Sequence, residues 1–189
     1  MDYFEQELNY IKDEESRQWT KEILDHVNEK FYIEAASTTG KYHPEYALGE
    51  GGLYRHTKAA VMIAQCLREN KFAHSLTDME YDLVIAALIL HDTCKCGRNW
   101  QSLYTLHRHP IEAKDLIQEA LTDVEYGSKK EEFIARVSSM VASHMGQWTT
   151  SRWEYTVLPE PANEAERLVH ICDYLASRKF IEINFDKGI

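Results

Sequence analysis

AALILHDTCK, residues 86–95, places a histidine and an aspartate directly after the longest apolar run of the chain. That run, from Leu83 to Leu90, has eight residues, far fewer than the ~20 that a membrane span requires. Apolar residues three and four positions before His91 and Asp92 put both side chains on the inward face of a helix, near the point where it ends. A buried carboxylate costs several kcal/mol unless a cation or strong donors compensate it. The segment therefore predicts a buried helix that carries ionisable groups into the core.

Outward from this segment, nearly every stretch has helical periodicity. Apolar stripes near the N-terminus join Phe4, Leu8 and Ile11, and Ile23, Val27 and Phe31, each predicted to lie on one helix. Further helices are predicted at about 54–69, 78–91, 111–123, 130–145 and 164–179. Capping-box patterns stand at three helix starts: Thr77 with Glu80, Ser128 with Glu131, and Asn163 with Glu166. Residues 35–52, which contain glycine and proline, are predicted as a loop. We predict one all-α domain.

Composition limits the functions that this chain can have. Its 189 residues suit a single domain. Lys and Arg number 21 against 31 Asp and Glu, which gives a formal net charge of −10. So acidic a protein is a poor general binder of polyanions, and we do not expect long nucleic acid among its partners. The N-terminal residues are polar and acidic, without a signal-peptide pattern, and the four cysteines form no CxxC pair. We expect a cytoplasmic protein with reduced thiols and no membrane contact.

A set of polar residues falls on helix faces or helix ends where apolar residues are expected: His56, His91, Asp92, His109, His144 and Asp173. A single histidine in such a place is more often a hydrogen-bonded core residue than a ligand. Several imidazoles and carboxylates that converge from different helices are, however, how helical bundles hold metal ions. A set of nitrogen and oxygen donors without thiolates favours Zn, Fe, Mn, Co or Ni. His107 is the alternative to His109.

The order of these residues resembles the H…HD…D signature of the HD-domain metal-dependent phosphohydrolases. GGLYRHT at 51–57 is similar to the family's GGLxxHT entry to the first ligand helix, and AALILHDTCK is similar to its AALLHDxxK segment. His109 in HRHP and His144 in SHMG match two further histidines of binuclear members. The nearest subgroup by resemblance is the HD domain of bacterial 3′→5′ exoribonucleases that also carry an OB fold, a domain that we do not expect within these 189 residues. We expect a single HD domain over 1–189, with N-terminal helices in 1–36 and an HD core, a helical bundle around a metal site, in 42–179.

The resemblance implies a phosphohydrolase that cleaves a nucleotide, a cyclic nucleotide or a short oligonucleotide with a metal-activated water. The first metal would be held by His56, His91, Asp92 and Asp173, and a second by His109 and His144, with Asp92 bridging the two. The expected cofactors are one or two divalent ions of Mn, Fe, Ni, Co or Zn, with Mg as a further possibility. Asp92, Lys95 and Asp173 are the expected catalytic residues. The candidates for contact with substrate phosphate are Lys95, Arg55, Arg98, Arg108 and Arg152.

Other interpretations stay open at this point. A di-iron oxygenase acting on a small polyol or phosphonate would use the same ligands, and a non-catalytic nucleotide-binding module would retain them without turnover. Trp148, Trp153 and Tyr155 could stack on a base or simply pack their loop onto the bundle. The acidic N-terminal helices could cover the bundle or form a homo-oligomer contact. Four histidines are given no role: His26, His43, His74 and His170.

Overall fold

The computed structural model describes residues 3–37, 39–41, 43–71 and 75–181. Tyr42, the first residue of the expected HD core, and His74 lie outside these ranges. The described chain forms α1 (Glu5–Asn9), α2 (Glu14–Leu24), α3 (Lys30–Ile33), a 3₁₀ turn (Glu45–Ala47), α4 (Gly52–Glu69), α5 (Asp78–Leu90), α6 (His109–Ala120), α7 (Lys129–Ala142) and α8 (Glu164–Ala176). No strand occurs within these ranges, so the all-α prediction is confirmed. None of the described helices is long and apolar enough to cross a membrane.

Helix α5 is the central element of the bundle. Every residue from Tyr81 to Leu90 is buried, which is the pattern of a helix that is covered on all sides. The helices α2, α4, α7 and α8 pack around it. Burial of each large aliphatic side chain contributes about 1.5–3 kcal/mol, so the position of α5 is strongly fixed. Its C-terminal end, where His91 follows, lies in the interior of the protein.

The capping-box residues mark helix starts as predicted, although only one box is complete. Thr77 accepts from the Glu80 amide while the Glu80 carboxylate accepts from the Thr77 amide. At α7 and α8, Ser128 and Asn163 also cap their helices. The carboxylates of Glu131 and Glu166 accept hydrogen bonds from the amides of Gly127 and Ala162, each one residue before the cap, both at 2.6 Å.

The predicted N-terminal stripes lie in the core, but neither forms one continuous helix. Helix α2 ends at Leu24 and α3 begins at Lys30, because the Asn28 side chain accepts from the Lys30 amide and starts a new turn. In the first stripe, Phe4 precedes α1 and Ile11 follows it. The apolar side chains that this arrangement buries completely are Phe4, Ile11, Ile23 and Phe31. The N-terminal helices thus cover the bundle.

Arg68 joins these N-terminal helices to the bundle. Its guanidinium, almost fully buried, donates to the Tyr10 carbonyl at 3.0 Å and to the Asp82 carboxylate at 2.8 Å. The other Asp82 oxygen accepts from the Asp13 amide at 2.8 Å. A buried ion pair is stabilising only when its hydrogen bonds are satisfied, as they are here.

Three predicted helix ends are wrong by three residues. Helices α6, α7 and α8 end at Ala120, Ala142 and Ala176, not at 123, 145 and 179. After α7 and α8, the hydroxyls of Ser143 and Ser177 donate back to carbonyls of the last turn and compete with continued helix. His144 consequently lies in the turn that follows α7.

Candidate metal centre

The start of α4 explains the glycine pair that precedes His56. Gly51 has φ +70°, a left-handed conformation that L side chains rarely adopt. A Cβ on Gly52 would lie far inside 3.0 Å of the Ala47 carbonyl, so only glycine fits this close approach. The tight entry fixes the first turn of α4, and His56 follows one turn later with 1 % exposure.

The adjacent residues His91 and Asp92 point into one site because α5 ends directly before them. The helix ends at Leu90, and the chain continues with three-residue turns in which the Thr93 amide donates to Leu90 and the Lys95 amide to Asp92. This tightened backbone brings His91 Nε2 to 3.5 Å from Asp92 Oδ2. Cys94 in these turns is buried and lies outside the left-handed region, so no glycine is required there.

The two oxygens of Asp92 face different histidine groups. Oδ2 lies 3.8 Å from His56 Nε2 and 3.5 Å from His91 Nε2. Oδ1 lies 3.1 Å from His109 Nε2 and 3.9 Å from His144 Nε2. The residues thus form two compact groups that share Asp92, each suited to a metal ion.

Asp173 completes the first group from α8. Its Oδ1 lies 2.9 Å from His56 Nε2 and 3.5 Å from His91 Nε2. Its side chain is 20 % exposed, whereas that of Asp92 is 3 % exposed. Asp173 therefore faces both the cluster and the solvent-accessible space beside it.

Backbone carbonyls orient three of the histidines. The Nδ1 atoms of His91, His109 and His144 lie 2.6–2.7 Å from the carbonyl oxygens three residues earlier, those of Leu88, Leu106 and Val141. A carbonyl only accepts, so each Nδ1 carries a proton, and the Nε2 of each ring is the atom left to bind a metal in the cluster. This is the arrangement that fixes metal-binding imidazoles in proteins.

The histidine nitrogens and carboxylate oxygens that converge in the cluster need a positive charge among them. His109 Nε2 lies 3.1 Å from His144 Nε2 as well as 3.1 Å from Asp92 Oδ1. The Nε2 of His91 is buried without a hydrogen-bond partner. Acceptors that face each other in a dry site repel unless a cation lies among them, and a divalent ion satisfies several at once. The imidazole and carboxylate donors fit such an ion well.

The electrostatics keep both carboxylates ionised. Burial raises the pKa of Asp92, but Lys95, His91 and His109 outweigh burial and hold this pKa well below its usual value. The pKa of Asp173 is likewise lowered, because His56 and His91 outweigh the effect of burial. Burial, with His91 and His109 nearby, lowers the pKa of His144 to about 3. At neutral pH both carboxylates and His144 are in the forms that bind metals. Burial lowers the pKa of His91, but Asp92 and Asp173 outweigh burial and raise this pKa, so a metal ion would compete with a proton there.

A cavity of about 540 Å³ adjoins the cluster, within the size range of small-molecule sites. Four of the cluster residues line it: Asp92, His109, His144 and Asp173. Lys95 lines it too, and its ammonium contacts Asp92 Oδ2. A basic group and a carboxylate with access to solvent therefore share one cavity with the cluster.

The arginines suggested by the sequence lie elsewhere. Arg55 donates to the carbonyls of Tyr46 and Leu48 and holds the loop before α4. Arg98 pairs with a glutamate of α6 at 2.7 Å. Arg108 pairs with two glutamates and lines a second cavity of about 660 Å³, and Arg152 is exposed. All four are described residues, and none of them lines the cavity beside the cluster.

The three aromatic residues of the loop after α7 also lie in different places. Trp148 lines the cavity beside the cluster, Trp153 lines the second cavity, and Tyr155 is fully exposed. His107, the alternative to His109, lines the second cavity and lies 3.2 Å from the Thr149 carbonyl through Nε2. The structure thus brings His109, rather than His107, into the cluster.

Sequence reasoning missed three residues that line the cavity: His43, Tyr174 and Arg178. The ring of His43 lies 5.5 Å from that of His56, and burial together with Lys95 and His56 lowers its pKa to about 3. His43 lies in a loop, where no periodicity could indicate it. Tyr174 and Arg178 follow Asp173 by one and five positions, so their proximity to a ligand candidate was the available signal.

The fold and the site define an all-helical protein with a buried His/Asp cluster suited to a divalent metal. The model of the HD domain matches residues 53–178, more than half of the chain, and the chain belongs to the HD-domain family. The matched range contains all six residues of the cluster. No curated protein and no solved structure matches the chain, so the resemblance to the OB-fold exoribonucleases has no support from these comparisons.

Proposed function

We propose that this protein is a phosphohydrolase that uses a metal-activated water to cleave a phosphate ester of a small nucleotide, a cyclic nucleotide or a short oligonucleotide. Members of the HD-domain family are generally metal-dependent phosphohydrolases. The observation that carries the proposal is the shared cavity, in which the His/Asp cluster, a lysine and a partly exposed aspartate lie together.

The proposed ligands follow the division of the cluster by Asp92. One ion would be held by His56, His91, Asp92 and Asp173, and a second by His109, His144 and Asp92. Support comes from the two oxygens of Asp92, which face the two groups separately. Bound divalent ions supply Lewis acidity toward phosphoryl oxygens and lower the pKa of water toward neutrality.

The chain's own residues would position the reactants. The exposed part of Asp173 can accept a hydrogen bond from the attacking water and hold it beside the phosphorus. Lys95, whose ammonium already lies at the cavity wall, neutralises charge that develops on the phosphoryl oxygens. Neither role requires a serine or cysteine nucleophile.

The charges around the cavity favour a small substrate over a long polyanion. Among the described residues, Lys95 and Arg178 are the Lys and Arg side chains that line it. With a net charge of −10, the rest of the molecule repels extended phosphate backbones. We propose that Arg178 takes the role of phosphate contact that the sequence suggested for the four other arginines.

The proposal is tested by metal analysis and by turnover. Purified protein is assayed with bis-p-nitrophenyl phosphate and with a panel of nucleotides and short oligomers, with Mn²⁺, Ni²⁺, Co²⁺ and Fe²⁺ in turn. We expect bound transition metal and metal-dependent hydrolysis. Protein without metal that stays inert under every condition would refute the proposal. Iron-dependent oxygen uptake without hydrolysis would instead favour the oxygenase, and nucleotide binding without turnover the binding module.

Matched variants separate the cluster from the fold. Asp92→Ala should abolish both metal content and activity while the far-ultraviolet circular dichroism stays helical, because the backbone of α5 does not depend on this side chain. His144→Gln should lose metal, whereas the control His26→Gln, at an exposed position, should not. Full activity in Asp92→Ala would contradict the ligand assignment.

A further inference from the structure

One wall of the cavity is a stack of aromatic and cationic groups. The rings of Trp148 and Tyr174 are nearly parallel, at 18°, with centroids 5.8 Å apart. The Arg178 guanidinium lies 4.4 Å from the centroid of the Tyr174 ring. All three line the same cavity as Asp92 and Asp173. We call these three residues the stacked wall.

The stacked wall is built on the same elements as the cluster. Tyr174 follows Asp173 on α8, and Trp148 lies four residues after His144 in the turn beyond α7. The backbone therefore fixes the position of the wall relative to the cluster. Sites on rigidly connected elements can hold the two ends of one ligand at a defined separation.

The turn that carries Trp148 is tightly held. Gly146 has φ +62°, and a Cβ there would lie far inside 3.0 Å of the His170 ring. His170 Nδ1 donates to the His144 carbonyl at 2.8 Å, and its ring also contacts that of Trp148 edge-on. Trp148 is thus fixed from two sides by α8.

Trp148 nevertheless keeps 44 % of its surface exposed. A tryptophan that is fixed by stacking and yet exposed within a cavity offers a flat apolar surface that water solvates poorly. Planar bases stack on such surfaces, whatever their hydrogen-bonding edges. A sugar phosphate without a base has no planar group that could stack on Trp148.

We propose that the aromatic part of the stacked wall binds the base of the substrate, which stacks on Trp148, while the cluster and Arg178 take the phosphate. The inference rests on the proposed function and assigns the residue that would recognise the base of its nucleotide substrate. Trp148 is then a specificity-determining residue. Stacking of one base on one aromatic side chain corresponds to a gain in affinity of about tenfold or more.

The test compares ligands that differ only in the base. Mn²⁺-loaded protein is titrated calorimetrically at low temperature with AMP, GMP, CMP and UMP and with ribose 5-phosphate, and the ligands are checked for integrity. Where a ligand is hydrolysed, its KM and kcat are measured instead. We expect the nucleotides to bind at least tenfold more tightly than ribose 5-phosphate. Trp148→Ala should remove this difference, leave the affinity for ribose 5-phosphate unchanged, and raise KM rather than lower kcat.

A matched control uses the other loop tryptophan. Trp153→Ala alters a residue that is 91 % exposed and lines the second cavity, so it should leave the preference intact. The inference would be overturned if the wild-type protein bound nucleotides and ribose 5-phosphate with equal affinity. It would also be overturned if Trp148→Ala lost affinity for nucleotides and for ribose 5-phosphate to the same extent.

Metal content and hydrolysis of bis-p-nitrophenyl phosphate are measured on the same samples. If both persist while the preference for a base is missing, the inference fails and the proposed function stands. If both are absent, the proposed function fails whatever the binding result.

Discussion

Replacing Gly52 by alanine tests how the chain delivers His56 to the cluster. The new Cβ would press on the backbone carbonyl of Ala47, which itself accepts from the Ala36 amide and cannot rotate away. Forcing a methyl group into a packed site costs about 1–3 kcal/mol, and a backbone obstacle places this substitution near the upper end. At 2–4 °C per kcal/mol for a chain of this size, about 3 kcal/mol corresponds to a fall in Tm of roughly 6–12 °C.

Two other glycines provide controls for the Gly52→Ala variant. Gly49 and Gly127 have φ values of +63° and +75°, and nothing lies within 4 Å of an added Cβ. Alanine at either position therefore incurs only the left-handed backbone cost of roughly 1–2 kcal/mol. Unfolding is followed by circular dichroism on heating and in urea, and metal content is measured in parallel. If Gly52→Ala were as stable as Gly127→Ala and kept its full metal content, the argument that only glycine fits beside the Ala47 carbonyl would be refuted.

The remaining predictions concern one catalytic and two structural groups. Lys95→Ala should retain its metal and lose about 10²-fold in kcat, measured by metal analysis and steady-state kinetics; unchanged kcat would contradict its role. Arg68→Ala, which leaves Asp82 buried without its partner, should destabilise by about 3–5 kcal/mol in urea unfolding, whereas the more exposed Arg136→Ala should cost under about 1 kcal/mol. Burial raises the pKa of Asp13, but hydrogen bonds from Lys129 and Ser16 outweigh it and lower the pKa from 3.8 to about 2. This stabilisation, about 1 kcal/mol after solvent screening, is present above pH 4 and is lost as the pH falls toward 2. The difference in unfolding free energy between wild type and Asp13→Asn should therefore be smaller at pH 3 than at pH 6, and a constant difference would exclude the linkage.

The central helix and the cluster were predictable because their signals are local. The apolar run before His91 indicates a buried helix, and the apolar spacing around His56 and Asp173 indicates inward faces. The same reasoning anticipated that the helix ends close to His91 and Asp92, and the end of α5 at Leu90, followed by three-residue turns, confirms it.

Two of the arginines, Arg98 and Arg108, could not be located in this way, since each pairs with a glutamate that is distant in sequence. Arg108 is paired by Glu154, which lies 46 residues away, and no local pattern reveals that contact. Arg178 follows Asp173 by only five positions, but its place beside the cavity also depends on how α8 packs against α4. Helix ends were overestimated because serine hydroxyls that compete with backbone bonds carry no periodic signal.

The burial of α5 from Tyr81 to Leu90 has a consequence for how this protein can diverge. Substitutions in α5 disturb packing on every side at once, and each large-to-small change there costs about 2–5 kcal/mol. Substitutions among the exposed residues of the loops at 98–108 and 146–161 cost only a few tenths of a kcal/mol. The cluster at the end of α5 is thus inherited as a fixed unit with the core. If the proposed function holds, changes in the loops can alter which molecule binds while the groups of the cluster stay the same.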